Sequence, residues 1–193
     1  VDPAHPFPFV SNLSLNVAAL IDDPETGQRL LARVKVPQTI LPRFVAIPTD
    51  LAGNESEPVH TAVPLEQVVA FNLGLLFPGM SIEGHYFFRV TRDADLELRD
   101  LEADDLMIAI EQGLRKRRMG GEVVRLEVAE GMPQDVVEML MDGMSVEEAD
   151  LYRVDGPLGL DDLFGLMGIP LANLKNESHL SLIHISEPTR PLR

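Results

Sequence analysis

The chain has 193 residues, of which 45% are hydrophobic and 24% charged, the size and composition of one globular domain or of one domain and a tail. Its 31 acidic and 16 basic residues give a formal net charge of −15, which argues against nucleic-acid binding and against anionic membrane surfaces. The absence of cysteine excludes disulfides, cysteine-ligated metals and thiol nucleophiles, and without a long apolar run or a secretory leader we expect a cytoplasmic protein with no transmembrane segment.

The first third of the chain predicts a β-hairpin followed by a third strand. Apolar and polar residues alternate over 12–19 and again over 32–36, which is the period of half-buried strands. The polar stretch 22–27 between them predicts the turn. A short apolar run over 43–48 indicates the third strand, and the polar stretch 49–60 indicates a surface loop.

The middle of the chain predicts one helix and one central strand. Pro64 suits the first position of a helix, and apolar residues recur at helical spacing from Leu65 until Pro78 ends the pattern. Over residues 85–90, apolar side chains occupy every second position, as in a strand. Phe87, which falls on the opposite face, makes that face partly apolar as well. Because both faces are apolar, we predict that this strand lies inside the sheet.

The last third predicts two helices that alternate with strands. One helix follows Asp100, with acidic residues in its first turns and basic residues at its end, an order that suits the helix dipole. Strands over 124–128 and 150–154 flank a second helix over 133–141, which we expect Gly143 to cap.

These elements predict an α+β domain with a mixed, largely antiparallel sheet and about three helices packed on it. Strands come first, as a meander, and later alternate with helices. We assign residues 1–176 to this domain.

The basic end of the helix after Asp100 is the one cationic run of an acidic sequence. It comprises Arg115, Lys116, Arg117 and Arg118. Four adjacent cations can bind a phosphate polymer or the acidic face of a partner. They are more typical of a solvated helix C-terminus, where the dipole favours positive charge, and we prefer this second interpretation.

Other chemistry-bearing residues give weaker patterns. The histidines outside the tail, His5, His60, His85 and His179, have no metal-ligand spacing. His85, on a strand close to Glu83, is a candidate base or nucleophile, although a structural histidine is the commoner case.

Acidic and methionine clusters also have two interpretations. Asp93 with Asp95, and Asp104 with Asp105, are possible Mg²⁺ ligands, but the second pair is more typical of a first helical turn. A group of methionines is either an adaptable interface or, as we favour, mostly core. It comprises Met132, Met139, Met141 and Met144.

The C-terminal residues differ from the rest of the chain in composition and in the pattern of apolar and polar residues. The eleven residues 180–190 (LSLIHISEPTR) match, one codon per residue, a translation of the transposase adapter used in DNA library preparation. We therefore expect residues 177–193 to be a non-native, disordered tail and the chain to be truncated. Leaving out residues 180–193, which contain one acid (Glu187) and two bases (Arg190 and Arg193), changes the net charge from −15 to −16.

The order of several short motifs resembles bacterial polyphosphate kinase, in its middle or head domain. The motifs are 7–16 (FPFVSNLSLN), 33–37 (RVKVP), 41–45 (LPRFV), 63–66 (VPLE), 76–80 (LFPGM), 88–96 (FRVTRDADL), 125–128 (RLEV) and 152–158 (YRVDGPL). The resemblance extends from about Phe7 to about Leu174.

The resemblance implies a parent enzyme that transfers the terminal phosphoryl group of ATP reversibly to polyphosphate. The family's reaction proceeds through a phosphohistidine with Mg²⁺, which splits one transfer into two. In that family the ATP, metal and phosphohistidine residues lie in other domains, so no catalytic, cofactor-binding or metal-binding residue is assigned here. The implied role of this segment is structural, in a homodimer contact and in framing the substrate tunnel.

Two hypotheses follow from the sequence. The chain is either a non-catalytic fragment of a polyphosphate kinase, inactive alone, or a self-contained acidic module. In the second case it is a binding domain or a small phosphohistidine-handling domain that uses His85.

Overall fold

A computed structural model describes residues 7–48, 61–93, 121–169 and 171–176 of the chain. The strands are β1 (Leu15–Asp22), β2 (Arg29–Lys35), β3 (Phe44–Ile47), β4 (Thr61–Pro64), β5 (Ser81–Arg92), β6 (Val123–Ala129) and β7 (Leu151–Val154). The α-helices are α1 (Leu65–Phe71), α2 (Leu73–Leu76) and α3 (Gln134–Met144). Short 3₁₀ helices span Glu148–Asp150, Leu160–Gly168 and Ala172–Leu174.

The main sheet has five strands in the order β2-β1-β5-β6-β7. Its pairs are antiparallel except for β6 with β7, which are parallel. The predicted α+β domain with a mixed, largely antiparallel sheet is therefore confirmed. The central position of β5 also confirms the interpretation of Phe87, since a strand with neighbours and covering layers on both sides has two apolar faces.

The predicted β1–β2 hairpin is confirmed, with Asn16 opposite Lys35 and Asp22 opposite Arg29. Its turn is closed by Asp23, whose carboxylate accepts hydrogen bonds from the Glu25 amide at 2.9 Å and the Thr26 hydroxyl at 2.8 Å. These bonds to the charged form lower the pKa of Asp23.

The predicted opening meander is wrong at its third strand. β3 leaves the main sheet and pairs with β4 in a separate antiparallel ribbon, in which Phe44 faces Pro64 and Ile47 faces Thr61. β4 has four residues and ends in a proline, so it gives little alternation in the sequence. Pro64 therefore ends a strand, and the helix begins one residue later, at Leu65.

The two faces of the main sheet bury different elements. The α3 face packs α3 on buried strand residues such as Ala18, Phe88 and Leu126. The opposite face, here the α1 face, packs α1, α2 and Leu158 on residues that include Val17. Asn72 divides the helix predicted after Pro64 into α1 and α2, and its side-chain amide donates to the Val68 carbonyl at 2.8 Å, a bond that competes with regular helix geometry.

Gly143 has a different role from the predicted cap. It lies inside α3, whose last residue is followed by Ser145 in a left-handed conformation, φ 56°. A Cβ on Gly143 would overlap the ring of Phe7, so this glycine allows the N-terminal segment to pack closely on the helix.

Three predicted segments fall outside the described residues: the loop over 49–60, the helix after Asp100 and the tail 177–193. Within the described ranges, no helix combines the length and apolar character needed to cross a bilayer.

Candidate functional site

Some of the residues singled out from the sequence lie within the described ranges, and others lie outside them. Arg115, Lys116, Arg117 and Arg118 lie outside them. The same holds for Asp95, Asp104, Asp105, His5, His60 and His179. No group of three or more potential metal ligands occurs among the residues that the structure does describe.

His85 lies on β5 opposite Ala19 and is exposed. Its ring meets the Phe87 ring edge-on, with 5.9 Å between centroids and 61° between planes. An edge contact with a phenyl ring supplies no proton acceptor or donor, so the contact with Phe87 does not by itself activate His85 as a nucleophile.

The methionine group is mostly packed, as predicted. Met132 is buried, Met141 and Met144 pack against the core of the α3 face, and Met139 is exposed.

The most organised charged group in the described chain is centred on Arg43, at the start of β3. Arg43 forms a two-bond pair with Glu66 in the first turn of α1, with Nε–Oε2 at 2.7 Å and Nη2–Oε1 at 2.5 Å. The side chains of Arg43 and Glu66 are only 6% and 8% exposed, so the pair is removed from water. We call Arg43, Glu66 and Asp162 the arginine cluster.

Asp162 joins the arginine cluster from the 3₁₀ helix Leu160–Gly168. Its Oδ2 accepts from Arg43 Nη1 and from the Gln38 amide, both at 2.6 Å. The Leu158 carbonyl accepts a further bond from Arg43 Nη2 at 3.1 Å. Burial opposes the charge of Arg43, but the carboxylates of Glu66 and Asp162 outweigh it and raise the pKa of Arg43.

A second ion pair lies beside the first, on the α1 face of the sheet. Arg89 on β5 bonds Glu127 on β6 at 3.2 Å, and its other terminal nitrogen is 3.6 Å from Asp161. Arg125 also reaches Glu127, at 2.9 Å, and stacks on the ring of Tyr152, 4.3 Å from its centroid.

Gly159 explains how the two pairs come together. Its φ of 68° is a left-handed conformation that turns the chain into the 3₁₀ helix. A Cβ at this position would lie 3.5 Å from both Arg43 Nη1 and Arg89 Nε, and 3.4 Å from Asp162 Oδ2. The turn thus delivers Asp161 and Asp162 to the two arginines and fastens the C-terminal segment to the sheet.

The guanidinium of Arg43 is held by hydrogen bonds within the chain rather than by a ligand. Each nitrogen of the Arg43 guanidinium already donates to an oxygen of this chain. Buried pairs of this kind hold elements in register, and breaking one leaves an uncompensated charge. The sequence could not pair these residues, since Arg43 is 23 residues from Glu66 and 119 from Asp162.

Arg33 on β2 contrasts with the arginine cluster. Its Nη1 donates to Asn16 Oδ1 at 2.9 Å, and its Nε is buried without a hydrogen-bond partner among the described residues. Desolvation lowers the pKa of Arg33, and no carboxylate among the described residues offsets it. A buried donor left without an acceptor costs about 1–3 kcal/mol.

An apolar groove of about 1090 Å³ opens between the β3–β4 ribbon and the C-terminal segment. Its walls include Phe44, Ile47, Leu166, Ile169 and Leu171. Met167, which also lines the groove, is 65% exposed, and Phe164, close to it along the chain, is 73% exposed. Exposed apolar groups of this size are typical of contact surfaces.

Comparison with known proteins supports the motif resemblance. Residues 1–166 match the family model "Polyphosphate kinase middle domain". A polyphosphate kinase of Parasynechococcus marenigrum (strain WH8102) is 79% identical over 179 residues, and one of Prochlorococcus marinus (strain MIT 9313) is 76% identical over 182 residues. These alignments include 93% and 94% of this chain.

The chain spans only about a quarter of these relatives, 25% of the first and 26% of the second. The fold is also similar to the crystal structure of polyphosphate kinase from Porphyromonas gingivalis, with a TM-score of 0.65 and 23% identity, over 96% of this chain and 25% of that one. The family-model match over residues 1–166 shows that this chain belongs to the polyphosphate kinase middle-domain family.

Proposed function

We propose that the chain is the middle-domain portion of a polyphosphate kinase that transfers the terminal phosphoryl group of ATP reversibly to polyphosphate. The reaction would proceed through a phosphohistidine with Mg²⁺, both supplied by other parts of the parent protein. The observation that carries the proposal is the 79% identity to a protein named polyphosphate kinase, of which this chain covers 25%.

The role of this portion is that of a scaffold without catalytic residues. The buried arginines on the α1 face are neutralised by carboxylates of the same chain, which suits the holding of elements rather than the binding of a phosphate polymer. The apolar groove and the exposed Phe164 and Met167 support a contact surface, either with the rest of the parent protein or within a homodimer.

Activity of the isolated chain tests this division of roles. The purified chain, incubated with ATP and Mg²⁺, is expected to make no polyphosphate, whereas the full-length Parasynechococcus marenigrum relative serves as positive control. Polyphosphate synthesis by the isolated chain would contradict the scaffold role. Its loss on His85→Ala would then favour a self-contained phosphohistidine domain, and its persistence would require another catalytic residue.

Assembly is tested separately by light scattering on a chimera in which this middle domain replaces that of the full-length relative. Phe164→Lys with Met167→Lys is expected to lower the dimer fraction if the apolar end forms the contact. Met139→Lys, an exposed apolar residue on α3, is the matched control and is expected to leave the dimer fraction unchanged. An unchanged dimer fraction in both variants would place the contact elsewhere.

A further inference from the structure

The β3–β4 ribbon is apolar on both of its faces. Val45 packs against the core of the α1 face. Phe44 and Ala46 alternate with Val45 and therefore lie on the opposite face of the ribbon. Their register partners, Pro64 and Ala62, share that opposite face, and all four residues line the apolar groove. An antiparallel ribbon that is covered on one side only is typically polar on the other, so its apolar outer face indicates a second covering layer.

The other wall of the groove comes from residues 165–176, here called the C-terminal wall, and it is apolar too. Met167 and Leu174 on this wall are 65% and 77% exposed. The polar residues of the described lining are Thr61, Lys175 and Asn176. At about 1090 Å³ the groove also exceeds most small-molecule pockets, which measure about 300–1,000 Å³ and contain convergent polar groups. A stretch of polypeptide with apolar side chains fits this groove better than a small molecule does.

The described chain ends on the wall of this groove. Lys175 and Asn176 are its last described residues, and both line the groove. The proposed parent is much longer, since this chain covers 25% of the Parasynechococcus marenigrum relative and matches the model of a middle domain. Polypeptide that follows residue 176 in the parent therefore starts at the groove. Attachment at that point gives the following residues a high effective concentration there, which a separate molecule does not have.

A second copy of the chain fits the groove less well. Each copy has a net charge of −15, so two copies repel one another. Association of two molecules also costs translational and rotational freedom, which a segment of the same polypeptide has already lost. Charge and connectivity thus favour the same occupant.

We propose that the apolar groove is the docking site of the polypeptide segment that directly follows residue 176 in the parent polyphosphate kinase. The segment presents apolar side chains to the outer face of the ribbon and to the C-terminal wall, and it thereby joins the next part of the parent to this domain. Residues 177–193, which we expect to be non-native, are not that segment. The inference rests on the proposed function, because it requires a parent protein that continues beyond this chain.

Photo-cross-linking in a full-length chimera identifies the occupant. The chimera carries residues 1–176 of this chain in place of the middle domain of the Parasynechococcus marenigrum relative. Phe44→benzoylphenylalanine introduces a photoreactive ring into the groove, and mass spectrometry maps the cross-linked peptides. We expect cross-links within one polypeptide, to residues shortly after position 176. Phe71→benzoylphenylalanine, at a phenylalanine that is 90% exposed and lies outside the groove lining, is the matched control and is expected not to reach that segment.

Cross-links from position 44 to a second copy, or to any other part of the parent, would overturn the assignment. The same holds if positions 44 and 71 cross-link to the same segment, or if position 44 gives no cross-link.

Methionine oxidation gives a second readout that needs no substitution in the groove. Met167 lines the groove, whereas Met139 is exposed on α3. From the 193-residue chain to the chimera, oxidation of Met167 by hydrogen peroxide is expected to slow about tenfold, because a docked segment excludes the oxidant. The rate at Met139 is expected to change less than about twofold. Equal rates at Met167 in the two proteins would overturn the docking site.

Polyphosphate synthesis by the same chimera separates this inference from the proposed function. An active chimera in which Met167 stays as reactive as in the 193-residue chain would overturn the docking site alone. An inactive chimera in which Met167 is protected and position 44 cross-links as expected would support the docking site and contradict the proposed function alone.

Discussion

The elements that cover the two faces of the main sheet are held in place by different interactions. On the α3 face, α3 contributes apolar side chains such as Val136, Val137 and Leu140, each at most 1% exposed. The α1 face has an apolar centre too, but its border is held by the arginine cluster. Apolar packing is tolerant of sequence and insensitive to pH, whereas a buried ion pair depends on both partners. The α3 face therefore supplies bulk stability, and the α1 face fixes where the ribbon, α1 and the C-terminal segment lie.

The largest expected effect comes from breaking the α1 face at its ion pair. Arg43→Ala leaves the Glu66 carboxylate buried without a partner, which is expected to cost about 3–5 kcal/mol of the free energy of unfolding. Urea denaturation measures this loss. The double variant Arg43→Met/Glu66→Leu is expected to recover most of the stability, because it removes both charges and keeps the volume. A double variant as unstable as Arg43→Ala would show that the loss of stability does not come from the unpaired carboxylate of Glu66.

On the α3 face, truncation of a buried leucine tests apolar packing alone. Leu140→Ala is expected to cost about 2–4 kcal/mol through lost burial and a residual cavity. This loss is expected to be the same at low and high salt, because the substitution removes no charge, and urea denaturation at two salt concentrations measures it. A strong salt dependence of the Leu140→Ala loss would remove the distinction between the two faces.

A smaller effect is expected at Gly143, where the N-terminal segment packs on α3. Gly143→Ala improves helix propensity by about 1 kcal/mol, but the new methyl group overlaps the Phe7 ring, and overpacking costs about 1–3 kcal/mol. The net result is a modest loss of thermal stability. Gly131→Ala, at a site where a Cβ meets nothing within 4 Å, is the control and is expected to be neutral. A stabilised Gly143→Ala variant would mean that Phe7 does not pack there.

The smallest effect concerns the exposed pair of Arg29 and Asp135. The hydrogen bond from Arg29 holds the pKa of Asp135 below its ordinary value. A carboxyl whose pKa is lower in the folded state stabilises the fold above its unfolded pKa, near 3.9, and loses that contribution as the pH falls through the folded pKa. Asp135→Asn is therefore expected to flatten slightly the decline of stability below about pH 4, measured by urea denaturation from pH 5 to 2.5. An unchanged profile would show that the contact is absent in solution.

The sequence predicted the parts of the fold that rest on local periodicity. Alternation identified β1 and β2, and Phe87 identified β5 as central. The alternation of apolar residues did not predict β4, which has only four residues. It also did not predict that β3 leaves the main sheet. The arginine cluster was missed because it joins Arg43, Glu66 and Asp162 across the chain, and only folding brings such distant residues together.

We propose that this chain serves a polyphosphate kinase as a scaffold, and the activity of a chimera tests that role. Residues 1–176 of this chain replace the matching middle domain in the full-length Parasynechococcus marenigrum relative, and polyphosphate synthesis from ATP is assayed. We expect activity close to that of the relative, and retention of that activity in His85→Ala. A folded chimera that makes no polyphosphate, or one whose activity is lost with His85→Ala although the protein stays folded, would contradict the account.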